Sequence, residues 1–223
     1  MSALEIRDLG LVDYQAAWEL QNQLAAAYDH PILLLLEHPH TFTFGRRGDR
    51  SHLLWDEAEC ARRGVGVYSV DRGGDVTYHG PGQLVGYPLL RLADNDHVGY
   101  IRKLERVLIL ALARMGLVGG QVPGLSGVWI QPEIASRCPR CAPHQRGKPA
   151  KIAAIGVKVD AAGITRHGFA LNVDPQMDYF DGIVPCGLAD YPTISMAELL
   201  GQPPPMETVK MQVARAFAET FGF

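Results

Sequence analysis

The chain has 223 residues, 47% of them hydrophobic and 20% charged, an ordinary composition for one large globular domain. Its net charge of −3 argues against the basic face that bulk nucleic-acid binding needs. The run Ile32 to Leu36 is too short to span a bilayer, Met1 to Arg7 lacks the basic start of a secretory signal, and four cysteines in this length make no disulfide scaffold. The expectation is a cytoplasmic protein with free thiols, binding neither nucleic acid nor membrane.

Leu4 to Leu9 reads as a short strand. Ala16, Ala17, Leu20, Leu24 and Ala27 recur at near-helical spacing, predicting a helix over Val12 to Tyr28 that His30-Pro31 stops. The continuous apolar run from Ile32 to His38 predicts a buried strand. Thr41 and Thr43 then alternate with Phe42 and Phe44, ahead of the basic pair Arg46-Arg47. Asp56 to Glu59 has the form of a capping box opening a short helix, on which Cys60 is a packing residue.

A strand over Val65 to Val70 leads into Asp71-Arg-Gly-Gly-Asp-Val-Thr-Tyr-His-Gly-Pro-Gly-Gln83, and a second strand leaves from Gln83 to Leu90. A two-residue hairpin would need far less chain. Glycines at this spacing let a backbone take positive φ and approach another group closely, so the stretch reads as a binding loop on a sheet edge. It joins strand to strand and offers no helix N-terminus to a phosphate, and neither the P-loop nor the dinucleotide fingerprint occurs.

Val98 to Met115 reads as a long helix ended by Gly116. Strands follow at Ser126 to Ile130, Lys151 to Val159 and Ile164 to Val173, the last two as a hairpin. Between the first two lies Gln131 to Ala150, polar and with four prolines, which predicts an exposed loop. Ser195 to Glu198 is a second capping box, and Glu207 to Phe221 a final helix with Met211, Ala214, Phe217 and Phe221 on one face. Helices and strands are interspersed without strict βαβ alternation. The fold class is therefore α/β (α+β), a single domain over 1–223 with a mixed sheet and packed helices, and an exposed insertion is expected at 131–150.

Four features offer chemistry. Cys186, between Pro185 and Gly187, sits in a turn-rich loop where a thiol can be exposed; a thiolate accepts acyl groups well but needs a cation or base beside it, and a loop cysteine with no role fits the same pattern. Lys151 opens an apolar strand and would supply that cation, although a solvated strand-end lysine fits the same pattern. Lys158, seven residues on, faces the other way. His79 and His167 each adjoin a glycine at a strand end, as catalysts or as structural residues. Cys138, Cys141 and His144 have metal-ligand spacing in one loop, a weak zinc signal whose fourth ligand, from among His40, His52 and His97, the sequence does not place.

Taken together, Arg72 to Pro88, Lys151-Ile-Ala-Ala-Ile-Gly156, His167-Gly-Phe-Ala-Leu-Asn-Val173 and Pro185-Cys-Gly187 resemble, in order and over most of the chain, the signatures of the octanoyltransferases of lipoate biosynthesis, also called lipoate–protein ligase B. The resemblance implies the single-domain fold shared by biotin and lipoate protein ligases. It implies an acyltransferase without cofactor that moves an octanoyl or lipoyl group from acyl carrier protein to a lysine. The acceptors would be lipoyl domains of 2-oxo acid dehydrogenase E2 subunits and the glycine-cleavage H protein. Cys186 would carry the acyl thioester, Lys151 would lower its pKa and His79 would assist. Arg72, Gly73, Gly74, Asp75, Val76, Thr77, Tyr78 and His79, with Ala154, Ile155, Gly156, Gly168, Phe169 and Ala170, would line the substrate site.

An octanoyl chain needs an apolar slot, for which Val76, Tyr78, Leu84 and Ile155 are candidate walls. Backbone amides of the Cys186 loop or of the glycine stretch are candidates to hold the oxyanion. Arg46, Arg47 and Arg50, then Arg140, Arg146 and Lys148, are candidates to meet an acidic carrier protein. The 131–150 stretch is longer than the family usually carries there. The rival readings are an ATP-dependent ligase on the same fold, against which Pro185-Cys186-Gly187 and the complete His79-to-Gln83 block argue; a non-catalytic binding module, against which Cys186 and Lys151 together argue; and a zinc-dependent role through Cys138, Cys141 and His144, the weakest.

Overall fold

A computed structural model describes residues 3–93, 96–135 and 142–223. The chain runs β1 (Glu5–Leu11), α1 (Tyr14–Ala26), β2 (Ile32–Glu37), β3 (Thr41–Phe44), α2 (Glu57–Arg62), β4 (Gly66–Ser69), β5 (Val76–His79), β6 (Gln83–Leu89), α3 (His97–Arg114), β7 (Gly119–Val122), β8 (Leu125–Ile130), α4 (Pro132–Ala135), β9 (Ala150–Val159), β10 (Thr165–Asn172), α5 (Met196–Leu200) and α6 (Met206–Phe221).

Seven strands form a mixed sheet in the order β1-β2-β6-β10-β9-β8-β7, and three form a small one, β4-β3-β5. In the large sheet only β1 and β2 pair in parallel; the remaining neighbours are antiparallel. The apolar run of β2 is explained by its place between two layers. Leu33 and Leu35 enter the core beneath α3 and α6, while Ile32, Leu34 and Leu36 enter the core beneath α1. Alternate side chains thus serve opposite faces, which is why no polar residue interrupts the run. Asp13 starts α1 by accepting the amides of Gln15 and Ala16, and Ser195 with Glu198 makes the expected reciprocal box at α5.

Two expectations are corrected, and one strand has no counterpart in the sequence reading. The stretch from Asp71 to Gln83 is not one loop, because Val76–His79 is a strand, β5, paired antiparallel with β3 in the small sheet. That pairing partner lies some 35 residues earlier (Thr41 opposite His79), so no local pattern reveals it. β7, Gly-Gly-Gln-Val, is too glycine-rich to read as a strand and forms by pairing with β8. The buried face of α6 is Val209, Val213, Ala216 and Phe217, whereas Met211 is 44% exposed. The stripe that includes both valines packs on α3, and it lies to one side of the stripe starting at Met211.

Two polar groups tie the layers. The Glu105 carboxylate of α3, fully buried, accepts from Arg102 Nη1 (2.7 Å), Gln121 Nε2 (2.6 Å) and the Gly127 amide (3.1 Å), fixing the β7–β8 hairpin to the helix. The Arg72 guanidinium, also buried, donates to the Thr43 carbonyl (2.5 Å), the Thr43 hydroxyl (2.9 Å) and the Gly73 carbonyl (3.0 Å), which locks the glycine stretch onto the small sheet.

Candidate active site

Where the small sheet meets β9 and β10, a cavity of about 440 Å³ opens, with Cys186 and Lys151 both in its wall. Lys151 is the second residue of β9, and its backbone holds the chain that follows Cys186. Its amide donates to the Pro192 carbonyl (2.8 Å) and its carbonyl accepts from Ile194 (3.0 Å). Its side chain is 7% exposed, with Nζ 4.6 Å from the centre of the Trp129 ring. The same Nζ lies 3.5 Å from Cys186 Sγ.

Pro185–Gly187 forms a single 3-10 turn with Cys186 at φ 57°, ψ 18° and Gly187 at φ 67°. A left-handed conformation is costly for a side chain bearing Cβ, so a cysteine there needs surroundings that hold it. The turn supplies them: the Gly187 amide donates to Val184 (3.0 Å) and the Leu188 amide to Pro185 (3.0 Å). Those two amides are thereby committed to the turn, which narrows the expectation that this loop holds an oxyanion. His167, at φ 56°, is the other non-glycine residue in this region among the described residues, and it lines the same cavity. Its amide donates to Gln21 (2.7 Å), and its Nε2 bonds Asp71 (2.8 Å). Lys158 bonds the other oxygen of Asp71, and the hydrogen bonds from the His167 ring and the Lys158 ammonium hold that carboxyl far below the usual carboxylate range.

His79 is buried, and burial together with nearby His38 holds its pKa well below the ordinary value, so the ring stays neutral. Its Nδ1 donates to Gln83 (2.8 Å), leaving Nε2 bare. Gln83 donates in turn to Asn172 (2.9 Å), and Asn172 to the Ile194 carbonyl (3.0 Å), a chain that joins both sheets to the segment after Cys186.

Of the residues expected to line the site, Arg72, Gly73, Gly74, Asp75, Thr77 and His79 do so, as do Ala154, Ile155 and Gly156 of β9 and Gly168, Phe169 and Ala170 of β10. Val76 and Tyr78 do not. Alternation along β5 turns Thr77 and His79 to the cavity and sends Val76 and Tyr78 into the small sheet's own core, both fully buried with Phe42 and Phe180. Leu84 is also withdrawn, into the core beneath α3. Of the basic candidates, Arg47 reaches the cavity and Arg46 and Arg50 lie exposed beside it in sequence, as are Arg146 and Lys148 elsewhere. Cys138, Cys141 and Arg140 lie outside the described residues; His144 is exposed, its Nε2 3.4 Å from the Ala189 carbonyl.

The sequence reading missed Tyr14, Tyr87, His52 and the hairpin tip Gly124 to Ser126, all in the cavity wall. A helix-start tyrosine and a loop histidine carry no local signal; they reach the site only through the packing of α1 and of the segment after β3.

Residues 13–218 match the lipoyl protein ligase A/B catalytic domain family. The octanoyltransferase of Chloroflexus aurantiacus is 46% identical over 228 aligned positions, covering 100% of this chain and 96% of that protein. The octanoyltransferase of Mycobacterium tuberculosis is 44% identical, covering 97% and 86%. Among solved structures, lipoate-protein ligase A bound with ATP superposes with a TM-score of 0.76 at 14% identity, covering 99% of this chain and 85% of that one. Biotin protein ligase from Aquifex aeolicus in complex with biotin and ATP gives 0.55 at 13%, covering 98% and 70%. The mixed sheet with its helices is thus the lipoate and biotin protein ligase fold, and the chain belongs to the octanoyltransferases of the lipoyl protein ligase A/B catalytic domain family.

Proposed function

We propose that this enzyme is an octanoyltransferase in which Cys186 carries the acyl group as a thioester and Lys151 activates the thiol. The observation that carries the reading is the 3.5 Å separation of Lys151 Nζ and Cys186 Sγ inside a cavity large enough for a short acyl chain. The donor is octanoyl-acyl carrier protein. The acceptors are lysines of lipoyl domains, those of 2-oxo acid dehydrogenase E2 subunits and of the glycine-cleavage H protein. A cytoplasmic, reducing setting suits a mechanism that needs Cys186 as a free thiol.

In the first half-reaction the Cys186 sulfur attacks the donor's thioester carbonyl. The new C–S bond forms, the carrier's C–S bond breaks, and the leaving thiolate takes a proton from the Lys151 ammonium. One thioester replaces another, so the step is close to isoenergetic and needs no ATP. In the second half-reaction the acceptor lysine nitrogen attacks, an amide forms downhill, and Cys186 leaves as a thiolate beside Lys151. Burying the six methylenes of an octanoyl chain contributes up to about 5 kcal/mol. Of the proposed walls, Ile155 supports that slot, and exposed Arg46, Arg47 and Arg50 suit contact with an acidic carrier.

The test is intact-protein mass spectrometry after incubation with octanoyl-acyl carrier protein without ATP. An octanoyl adduct on wild type that hydroxylamine removes and Cys186→Ser abolishes is expected. No adduct on wild type, with activity appearing only when ATP and free octanoate are added, overturns the reading.

A further inference from the structure

Proton bookkeeping in the second half-reaction leaves one proton unassigned. The acceptor arrives as an ammonium, R–NH₃⁺, and ends as an amide N–H, so its nitrogen loses two protons. The departing Cys186 thiolate and the neutral Lys151 amine together take up one. The other needs a second acceptor at the site. His79 is a poor one, since burial suppresses its protonation.

The cavity wall holds another imidazole. His52 Nδ1 lies 2.5 Å from Asp75 Oδ2, and this is its one side-chain hydrogen bond among the described residues. An Asp partner on Nδ1 leaves Nε2 as the proton-accepting nitrogen of the neutral ring. Asp75 is itself fixed, its Oδ1 accepting from the Asp49 amide (2.9 Å). The His52 side chain is 28% exposed, so an incoming amine can reach it. The nucleophile's turn is fitted to this ring. The Val184 amide donates to the His52 carbonyl (2.8 Å), and a Cβ on Gly187 would lie 2.9 Å from His52 Cε1 and 3.1 Å from Asp75 Oδ2. Gly187 therefore lets the pair stand against the residue next to Cys186, with the His52 ring partly exposed while Lys151 is buried over Trp129.

We infer that His52 is the general base of the acceptor half-reaction, taking from the lipoyl-domain lysine the proton that the Cys186–Lys151 pair cannot hold, with Asp75 as its positioning residue. The inference rests on the covalent reading above. His52 Nε2 accepts a proton from the acceptor ammonium, the freed lone pair forms the C–N bond, the C–S bond to Cys186 breaks, and the nitrogen's second proton goes to the Cys186–Lys151 pair. His52 then returns its proton to water. The charged groups around the ring are Asp75, Asp49, Arg47, Arg72 and the Cys186–Lys151 pair.

The two half-reactions separate the roles. Wild type, His52→Gln and Asp75→Asn are each loaded with octanoyl from the carrier protein, then offered either a lipoyl domain or hydroxylamine. A free lysine amine at pH 7 is neutral in only about one molecule in 2,500. Hydroxylamine is already neutral and does not need the base. The expected result for His52→Gln is loading and hydroxylamine cleavage within about twofold of wild type, and transfer to the lipoyl domain slowed about 10²-fold at pH 7. That loss should shrink as pH rises and the acceptor amine deprotonates unaided. Asp75→Asn should slow the same step less. Transfer at the wild-type rate in His52→Gln overturns the inference. So does an equal fall in loading, hydroxylamine cleavage and transfer, which marks a structural role. No adduct on wild-type Cys186 overturns the covalent reading, and this inference with it.

Discussion

Glu105→Ala tests how the fold holds the site from a distance. Its carboxylate is fully buried and accepts three hydrogen bonds, from Arg102, Gln121 and the Gly127 amide. Truncation strands the Gly127 N–H in a dry environment and leaves Arg102, itself 45% exposed, and the exposed Gln121 to water. Hydrogen bonds to a charged acceptor contribute about 1.5–3 kcal/mol each, and stranding buried partners costs about 1–3 kcal/mol each. Since Arg102 and Gln121 both recover most of their loss in solvent, the net expectation is about 2–4 kcal/mol, mostly from the stranded Gly127 N–H and the lost bonds to a buried carboxylate. Against a total stability of about 5–15 kcal/mol, that is a large fraction. Glu105→Gln, which keeps an acceptor oxygen of the same shape, should cost less.

The same change should loosen the hairpin whose tip, Gly124 to Ser126, lines the cavity. Gly127 sits at φ 110°, where a Cβ would lie 2.5 Å from the Ala153 carbonyl and 3.5 Å from Lys151 Cε, so its backbone is part of the support under Lys151. Urea unfolding followed by fluorescence is the assay, with a midpoint drop of about 1.5 M expected at an ordinary slope. Octanoyl loading of Cys186 should fall as well, under conditions where the variant is still folded. A Glu105→Ala protein within about 1 kcal/mol of wild type would refute the reasoning.

Lys151→Met should slow octanoyl loading of Cys186 at pH 7 by about 10²-fold or more, with partial recovery as pH rises and the thiol ionises unaided; mass-spectrometric loading rates across pH check it. Gly86→Ala should cost about 1–3 kcal/mol by overpacking, because its Cβ would lie 2.1 Å from Phe169 Cζ across the β6–β10 pair; Phe169→Leu in the same chain should recover part of the loss in unfolding experiments. Stability should fall in mild acid. Burial holds His38 at about 4, with Nδ1 donating to the Val12 carbonyl and Nε2 accepting from the Tyr87 hydroxyl. An unfolded histidine takes its proton near 6.5. Its contribution is therefore complete above that pH and is lost, up to about 3 kcal/mol, as pH falls toward 4. Burial lowers His79 and His167 too, adding in the same direction. Unfolding free energies measured from pH 7 to pH 4 should slope this way, and His38→Gln should flatten the slope.

The sequence by itself determined the elements whose reason for existing is local. The five-leucine-like run of β2, the periodic stripe of α3, the β9–β10 hairpin around Asp160 to Gly163 and the Ser195 box are each legible because burial, helical period and turn chemistry act over a few residues. Cys186 between Pro185 and Gly187 and Lys151 near the head of an apolar strand were legible as candidates only, since a loop cysteine and a strand-end lysine have bland readings; the resemblance to the octanoyltransferases paired them. Only tertiary structure decided which side chains meet. β5 pairs with β3 across the chain, and that pairing chose Thr77 and His79 for the cavity and removed Val76 and Tyr78 from it. The Met211 face of α6 failed likewise, because two adjacent apolar stripes compete on that helix and α3 selects one. His52 and Asp75 lie 23 residues apart with no periodic relation between them. They come together, and beside Gly187, because small-sheet pairing and the backbone bond from Val184 to His52 fold three separate segments onto one point, a constraint that exists only in the folded chain.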